Sequence, residues 1–515
     1  MPSLPFPEWL PDLPQMNGLG SPYIRNCVPQ TAQSYGPMPR PQSYSTGPIN
    51  ARCQGSYSLK APDGNASIFA GDATKLYRIA PGSTSFTDIS GAVYTTPTVA
   101  AGGHWSMISF GNRVVATNGT DPIQSFLVGT DTLFSVLSVD APVAKFAATV
   151  KDWLMVGNTT DSDGTLPFRV RWSAIGDPTT WPTPGTDTAA QLLSDYQDLQ
   201  QTDLGAITGM LGGYLASADA AIFMERGVYR VQATGTSSIF AFAVAQGAAG
   251  TRSPLSIVPA RLRTTAGIPG VCFYLGEDGF YAFDGAQAIP IGAQKFDRAF
   301  FAELDYTYLP YVQAAADPNL KLIYFAFSAT GGAGLFNRLL VYNWDLNRAT
   351  ICELETSVEW MTRAIYGTGY TLEQLDAFGT MDTLPASLDD PIWTGGQLAL
   401  SVFNTVHQLN VLTGTPLGAV LETSETQLFP ERRTRINNAR PLTDAPATGT
   451  VSIGCREALN APVVYQAAVP INVYGECPQR VTGRYVRLRL TLPVGTVFSH
   501  IQGIDVQARP ESPRR

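Results

Sequence analysis

The sequence predicts a mainly β protein: a β-propeller with an extended N-terminal arm and a C-terminal β-sandwich-like domain. Three observations lead there. Only 15% of the residues are charged, against the ~25% usual in soluble domains. Gly and Pro together number 48 and 38, and these poorest of helix formers exclude a long-helix protein. Short apolar runs separated by turn residues recur about every ten residues, the signature of meandering strands. Low charge combined with 10% aromatic residues also excludes a disordered chain. A length of 515 residues implies roughly two to four domains.

Residues 1–62 form the expected arm. Pro2, Pro5, Pro7, Pro11 and Pro14 open a proline series that continues to Pro48. Each ring fixes φ and pushes its predecessor toward extended geometry. Phe6, Trp9, Leu10, Leu13, Tyr23 and Ile24 predict that the arm packs on other surfaces. Residues 63–375 read as the propeller. Runs at 66–70 and 75–79 flank Gly71-Asp72, and 114–117 leads into Asn118-Gly119, a tight-hairpin signal. Further runs are 153–156 before Gly157-Asn158, 221–225 and 228–231 around Gly227, 271–275 and 280–283 around a glycine turn, then 322–327 and 339–343. Radial blades would leave few open edges, although paired sandwiches would give a similar string. Segments 188–201 and 294–304 carry helical spacing, with Phe296, Phe300 and Leu304 at i, i+4 and i+8. Residues 376–515 form the third region. Its stretch 391–421 has no Asp, Glu, Lys or Arg and predicts a hairpin around 413–415, while 484–492 (RYVRLRLTL) alternates as a half-exposed strand does.

Several function classes lose support. Residues 1–10 show no basic n-region or apolar h-region, so no secretory signal is expected. The charge-free stretch 231–251 is broken by Gln, Thr, Ser and Gly, and no membrane span is expected. Cys27, Cys53, Cys272, Cys352, Cys455 and Cys477 lack CxxC spacing, which favours reduced thiols over zinc or a disulfide framework, with a Cys455–Cys477 pair left open. His104, His407 and His500 are too far apart in sequence for a shared helix or strand. No nucleophile elbow, phosphate loop or dinucleotide fingerprint occurs. Asp161 and Asp163 precede Gly164, but the twelfth position of such a calcium loop is Trp172, not Glu. Glu277-Asp278 and Asp389-Asp390 are adjacent pairs, whereas glycosidases set two carboxylates across ~5–9 Å. The reading is therefore of no enzyme, no cofactor and no metal. The formal charge of −8 argues against tight DNA binding, which needs a basic face. The one dense basic cluster is Arg432, Arg433 and Arg435 beside Glu431. It reads either as a charged edge strand or as a docking patch for an acidic partner or passing DNA.

A series of phrases resembles, in order, the tail nozzle (tail tubular, packaged-DNA stabilisation) proteins of short-tailed bacteriophages. The arm 17–39 contributes Gly18-Leu19, Arg25-Asn26, Val28-Pro29, Tyr35-Gly36, Pro37 and Pro39. FAGDATKLY (69–77), RWSAIGDPTTW (171–181), ERGVYR (225–230) and FYLGEDGFYAFDG (273–285) follow. PIGAQKFD (290–297), AADPN (315–319), LVYNW (340–344), 484–490 and QGIDV (502–506) complete the series, and 390–470 matches least.

The resemblance implies a structural virion protein of the phage tail, assembled in the host cytoplasm. It implies a homohexameric ring below the portal and adaptor rings, extending the DNA channel, retaining packaged DNA and letting it pass during ejection. Tail fibres or spikes and a needle or plug protein would attach nearby, and double-stranded DNA would pass without specific binding. The residues agree with this in three ways: uncharged surface suits burial between ring neighbours, an acidic conduit repels phosphate, and catalytic sets are lacking. Two competing readings stay open, a host-surface adhesin or polysaccharide depolymerase on a β scaffold, and a cellular propeller scaffold.

Overall fold

Turn residues every few positions force the chain into short antiparallel meanders. A computed structural model of the protein describes residues 2–14, 20–61, 65–200, 203–235, 239–261, 270–366, 380, 397–430, 432–445 and 448–511. The protein is mainly β, built largely from small four-stranded sheets in a propeller-like arrangement. Sheet 1 comprises Gly55–Lys60, Ala66–Gly71, Leu76–Ile79 and Thr87–Asp88. Sheet 2 comprises Ser106–Phe110, Arg113–Thr117, Gln124–Leu127 and Ser135–Val136. Sheet 3 contains Val143–Val150, Trp153–Asp161, Gly164–Trp172 and Asp195–Asp198, and sheet 4 contains Ile207–Gly212, Ala220–Met224, Val228–Ala233 and Phe240–Val244. Sheet 5 is Val258–Arg261, Gly270–Leu275, Phe280–Phe283 and Ala288–Pro290. Sheet 6 joins Gln313–Asp317, Leu322–Phe327 and Phe336–Asn343 to the start of the long strand Arg348–Tyr366.

That long strand changes partners halfway. Residues 338–343 of sheet 6 pair with 348–353, and 358–366 then pair with Gln397–Asn404, Trp360 facing Phe403. Gln397–Asn404 pairs with Leu409–Pro416, which pairs in turn with Pro39–Ser43 of the arm. This makes a seventh four-stranded unit, three strands from late sequence and one from the arm.

Apolar layers join each sheet to the next. Phe69 and Phe126 meet between sheets 1 and 2, Val115 and Leu154 between 2 and 3, and Trp172 and Phe240 between 3 and 4. Phe223 and Tyr274 meet between 4 and 5, Phe280 and Phe325 between 5 and 6, and Tyr324 and Val402 between 6 and 7. A last layer, with Ile68, Ala70, Trp360 and Phe403, joins sheet 7 to sheet 1, and Trp360 Nε1 donates to Ser56 Oγ at 3.0 Å. Middle strands covered on both faces bury every residue, which is why Ala220–Met224 and Leu322–Phe327 are continuous apolar runs without alternation.

The remaining strands form two layers facing each other, the second continuous with sheet 6 through Ile24–Arg25, which pairs in parallel with Arg348–Tyr366 and antiparallel with Ala419–Glu422. One holds Thr434–Thr443 between Cys477–Gly483 and Ile501–Pro510, with Cys27–Thr31, Ser34–Pro37 and Ser3–Pro5 beyond. The other centres on Tyr485–Leu492, between Ala419–Glu422 and Thr450–Arg456. Tyr485–Leu492 alternates half-buried and buried residues along its length, as its sequence predicts. Ile436, Val481 and Val506 meet Ile453, Leu488 and Leu490 in the shared core. At the rim, buried Glu422 receives Arg489 at 2.5 Å and Arg487 at 3.5 Å, and Glu425 receives Arg456 at 2.6 Å. Glu422→Ala leaves charge buried and uncompensated and is expected to cost about 3–5 kcal/mol in a urea titration. A loss as small as that from breaking the exposed Lys321–Asp345 pair would show the network to be screened by water.

Several expectations need correcting. The expected arm ends at 62, yet Gly55–Lys60 is already the first strand of sheet 1; the other expected boundary, at 375–376, lies outside the described residues. In the expected helix 188–201 only Asp187–Gln191 is helical, capped by Thr186. Leu193 takes a left-handed φ of 52°, and Asp195–Asp198 becomes the outer strand of sheet 3, because pairing with 169–172 outweighs helix propensity. The segment 294–304 does contain the helix Asp297–Glu303, with Phe300 buried. Asn118-Gly119 opens a six-residue connection, not a tight hairpin: Asn118 Oδ1 accepts from Thr120 and Asp121 N–H, and only Gly119 has positive φ. Gly157-Asn158 is a bulge inside Trp153–Asp161, where a Cβ on Gly157 would lie 2.7 Å from Met210 Sδ. Residues 413–415 lie within the strand Leu409–Pro416 rather than in a hairpin, as an irregularity between Leu412 and Pro416, which pair with Pro41 and Pro39 of the arm. No helix among the described residues is long and apolar enough to cross a membrane.

Candidate functional site

The first strand of each meander is an edge strand, paired along one side only, and runs of consecutive residues along it are left to line a shared space. In all seven sheets these strands face one central cavity of about 1130 Å³. Tyr57 comes from sheet 1, Ser109 from sheet 2, Lys151 from the end of sheet 3 and Tyr214 from the end of sheet 4. Arg261, Gln313 and Arg363 come from sheets 5, 6 and 7. The Tyr57 hydroxyl donates to Ser109 Oγ at 2.9 Å, and burial raises its pKa. Lys151 pairs with Asp219 at 3.0 Å and Lys321 with Asp345 at 2.6 Å. Arg261 and Arg363 form no ion pair among the described residues. Sequence reasoning missed these residues. The signal was there: Lys151, Arg261 and Arg363 each stand at or near the end of a first strand, visible only once the sheets are aligned on one another.

The cluster singled out from sequence sits elsewhere. Arg432 and Arg433 are exposed, and Arg433 pairs with Glu457 at 2.8 Å and Glu511 at 3.1 Å. Arg435 lies on Thr434–Thr443, which pairs on both sides. The edge-strand explanation therefore fails: the strand is interior to its sheet. Its outward face adds Arg440, and the flanking strands add Arg480 and Arg509, three cations that sequence proximity did not group. Arg435 stands opposite Arg509 in the ladder, and Arg440 opposite Asp505. Arg435, Arg440, Arg480 and Arg509 form no ion pair among the described residues. Like charges placed opposite one another cost roughly 0.2–1 kcal/mol, a cost that an anionic partner would relieve.

The other polar candidates have structural partners. Arg169 takes Asp163 at 2.6 Å, Asp161 at 3.2 Å and Asp198 at 2.7 Å, so the calcium-like turn is an ion-pair cluster. Glu277 and Asp278 share a shallow hollow of about 440 Å³ with Asp297, Arg298 and Tyr306. Asp297 is 8% exposed, and burial pushes its carboxyl up to about 7. A Cβ on Gly292 would lie 1.8 Å from Asp297 Oδ1, so only glycine admits this carboxylate. Asp389-Asp390 lie outside the described residues. His104 is buried and holds the Gly102 carbonyl at 3.1 Å; burial lowers its pKa to about 4. His407 pairs with Glu359 and His500 with Ser34. All six cysteines are free thiols, Cys455 and Cys477 included. Among the described residues, no three His, Cys, Asp or Glu side chains gather to hold a metal.

No protein-family model matches the chain, and no curated protein matches it. Among solved structures, the chain is similar to the extracellular domain of the hybrid two component system BT4673 from B. thetaiotaomicron. The identity is 10% and the TM-score 0.39, over 83% of this chain and 47% of that one. The chain thus spans about half the length of that relative. The N-terminal domain of Nup159 aligns at 11% identity and a TM-score of 0.36, over 74% and 96% of the two chains. The computationally designed Ika8 protein aligns at 10% and 0.35, over 72% and 99%.

Proposed function

We propose that this chain is a wall subunit of the tail nozzle of a short-tailed bacteriophage. In this reading it is a seven-bladed β-propeller closed by its own N-terminal arm and carrying a C-terminal β-sandwich-like domain. The ordered series of nozzle-like phrases carries the proposal. Three of them, 69–77, 225–230 and 273–285, fall on the same feature of different sheets, the turn between second and third strands. The phrases thus follow a structural repeat as well as a linear order.

Six copies would stand around a duplex-wide channel below the portal and adaptor rings. At −8 per subunit the wall repels phosphate, so DNA slides instead of sticking. Loops closing the lumen would hold packaged DNA until a host signal moves them. The part is mechanical, with no catalytic role and no cofactor. The arginine face around Arg432, Arg433 and Arg435 is the docking patch for an acidic neighbour in the tail, alongside sites for fibre or spike and plug proteins.

Purified chain mixed with the adaptor ring should enter six-fold rings visible by electron microscopy. A chain that stays monomeric by light scattering at every concentration, with or without adaptor, overturns the proposal. Cleavage of host glycan by the purified chain would turn the reading toward a depolymerase. The Arg435→Glu, Arg509→Glu double variant should melt like the parent, because both side chains point outward, and should fail to join the ring. Normal assembly by that variant removes the docking role.

A further inference from the structure

The chain is acidic overall, yet its central cavity is not. Among the side chains lining the cavity, Lys151, Arg261, Lys321 and Arg363 face a single carboxylate, Asp345. Lys151 and Lys321 are held by acids, whereas Arg261 and Arg363 form no ion pair among the described residues. Arginine presents a planar fork of N–H donors that matches phosphate and carboxylate oxygens. Gln313 adds an independent observation. It is 2% exposed and lines the same cavity. Its Oε1 accepts the Met361 N–H at 2.7 Å, which fixes the amide orientation. Its Nε2 then has no acceptor. A buried donor without an acceptor is costly, and Gln313 lines the same cavity as Arg261 and Arg363, which form no ion pair among the described residues. The same cavity is also lined by Tyr57, Tyr214, Trp344 and Trp360.

We propose that the central cavity is a binding site for a small multivalent oxyanion, held by Arg261 and Arg363, with the Gln313 amide donating to it. The ligand class is a compact molecule carrying two or more phosphate or carboxylate groups. A volume of about 1130 Å³ accommodates such a molecule but not a folded partner or a duplex, since ligand pockets typically span ~300–1000 Å³. The inference does not rest on the tail reading, and each can fail without the other.

The test uses the full chain with pyrophosphate and citrate as probes, one for each oxyanion chemistry. Trp344 and Trp360 report occupancy by fluorescence, and calorimetry gives stoichiometry. The expected result is saturable binding of at least one probe at one site per chain, weakening as salt rises, with a matching rise in melting temperature. Arg261→Gln and Arg363→Gln should each weaken binding about tenfold or more, and Gln313→Met should weaken it less. Arg440→Gln, on the distant arginine face, should leave binding unchanged. Both cavity arginines are exposed, so their variants should melt like the parent. If neither probe binds more tightly than about 1 mM, the proposal is overturned. Binding that survives the Arg261→Gln, Arg363→Gln double variant also overturns it, because the anion then sits elsewhere.

Discussion

Deleting residues 2–48 is expected to yield a chain that is recovered only as aggregate. The arm supplies Pro39–Ser43, the outer strand of sheet 7, and Ile24–Arg25, wedged between Arg348–Tyr366 and Ala419–Glu422. Without it, the exposed backbone edges of Leu409–Pro416 and Ala419–Glu422 would invite pairing between chains. Phe6, Trp9, Ile24, Tyr35 and Met38 are all buried, and burial of a large apolar side chain is worth about 1.5–3 kcal/mol. Their sum, about 10 kcal/mol, is the size of a domain's whole stability. Arg348 is also left stranded. It is 6% exposed and donates to the Thr31 and Ala32 carbonyls at 3.1 and 2.7 Å and to the Tyr35 hydroxyl at 2.5 Å, all of them arm atoms. Size-exclusion chromatography and circular dichroism check the result. A soluble truncated chain that melts cooperatively within a few degrees of the parent would mean the arm is an accessory.

Between pH 4 and 7 the parent's stability is expected to stay nearly level, because two buried groups pull in opposite directions. Asp297 is raised to about 7 chiefly by burial, assisted by Asp12 and Asp278. In that window the folded chain keeps this proton and the unfolded chain has lost it, so stability falls as pH rises. His104 is lowered to about 4, chiefly by burial against Phe146 and near Lys145. Here the unfolded chain binds the extra proton below pH 6.5, so stability rises with pH until the unfolded histidine is neutral. At 1.36 kcal/mol per unit, the two effects reach roughly 4 and 3 kcal/mol. Asp297→Asn should therefore expose a profile that climbs from pH 4 to 6.5. His104→Phe should expose one that declines from pH 4 to 7. Urea titrations at half-unit pH steps measure both. Two variants with the parent's level profile would mean that neither group is desolvated.

The corrections come from interactions that composition does not show. Residues 188–201 carry good helix formers, and sequence separation hides that 169–172 needs an outer strand. Asn118-Gly119 is a hairpin signal by composition, but Asn118 spends its side chain capping its own loop. At 188–201 helix propensity differs by a few tenths of a kcal/mol per residue, less than one ladder of tertiary pairing supplies, whereas at Asn118 local side-chain hydrogen bonds decide. The cavity was illegible for a related reason. Tyr57, Arg261 and Arg363 are a hundred or more residues apart, and only the packing of the sheets brings them to one cavity.

What the amino-acid order determined alone is the class of local structure. Frequent Gly and Pro, few charges and regular apolar runs permit little besides short antiparallel meanders, because each term acts within a few residues. What tertiary structure alone decided is how the meanders meet. The arm strand at 39–43 completes a sheet whose other strands lie beyond residue 357, and Thr434–Thr443 becomes an interior strand bearing an outward row of arginines. Those outcomes depend on loop closure over hundreds of residues and on packing of faces that local sequence does not specify.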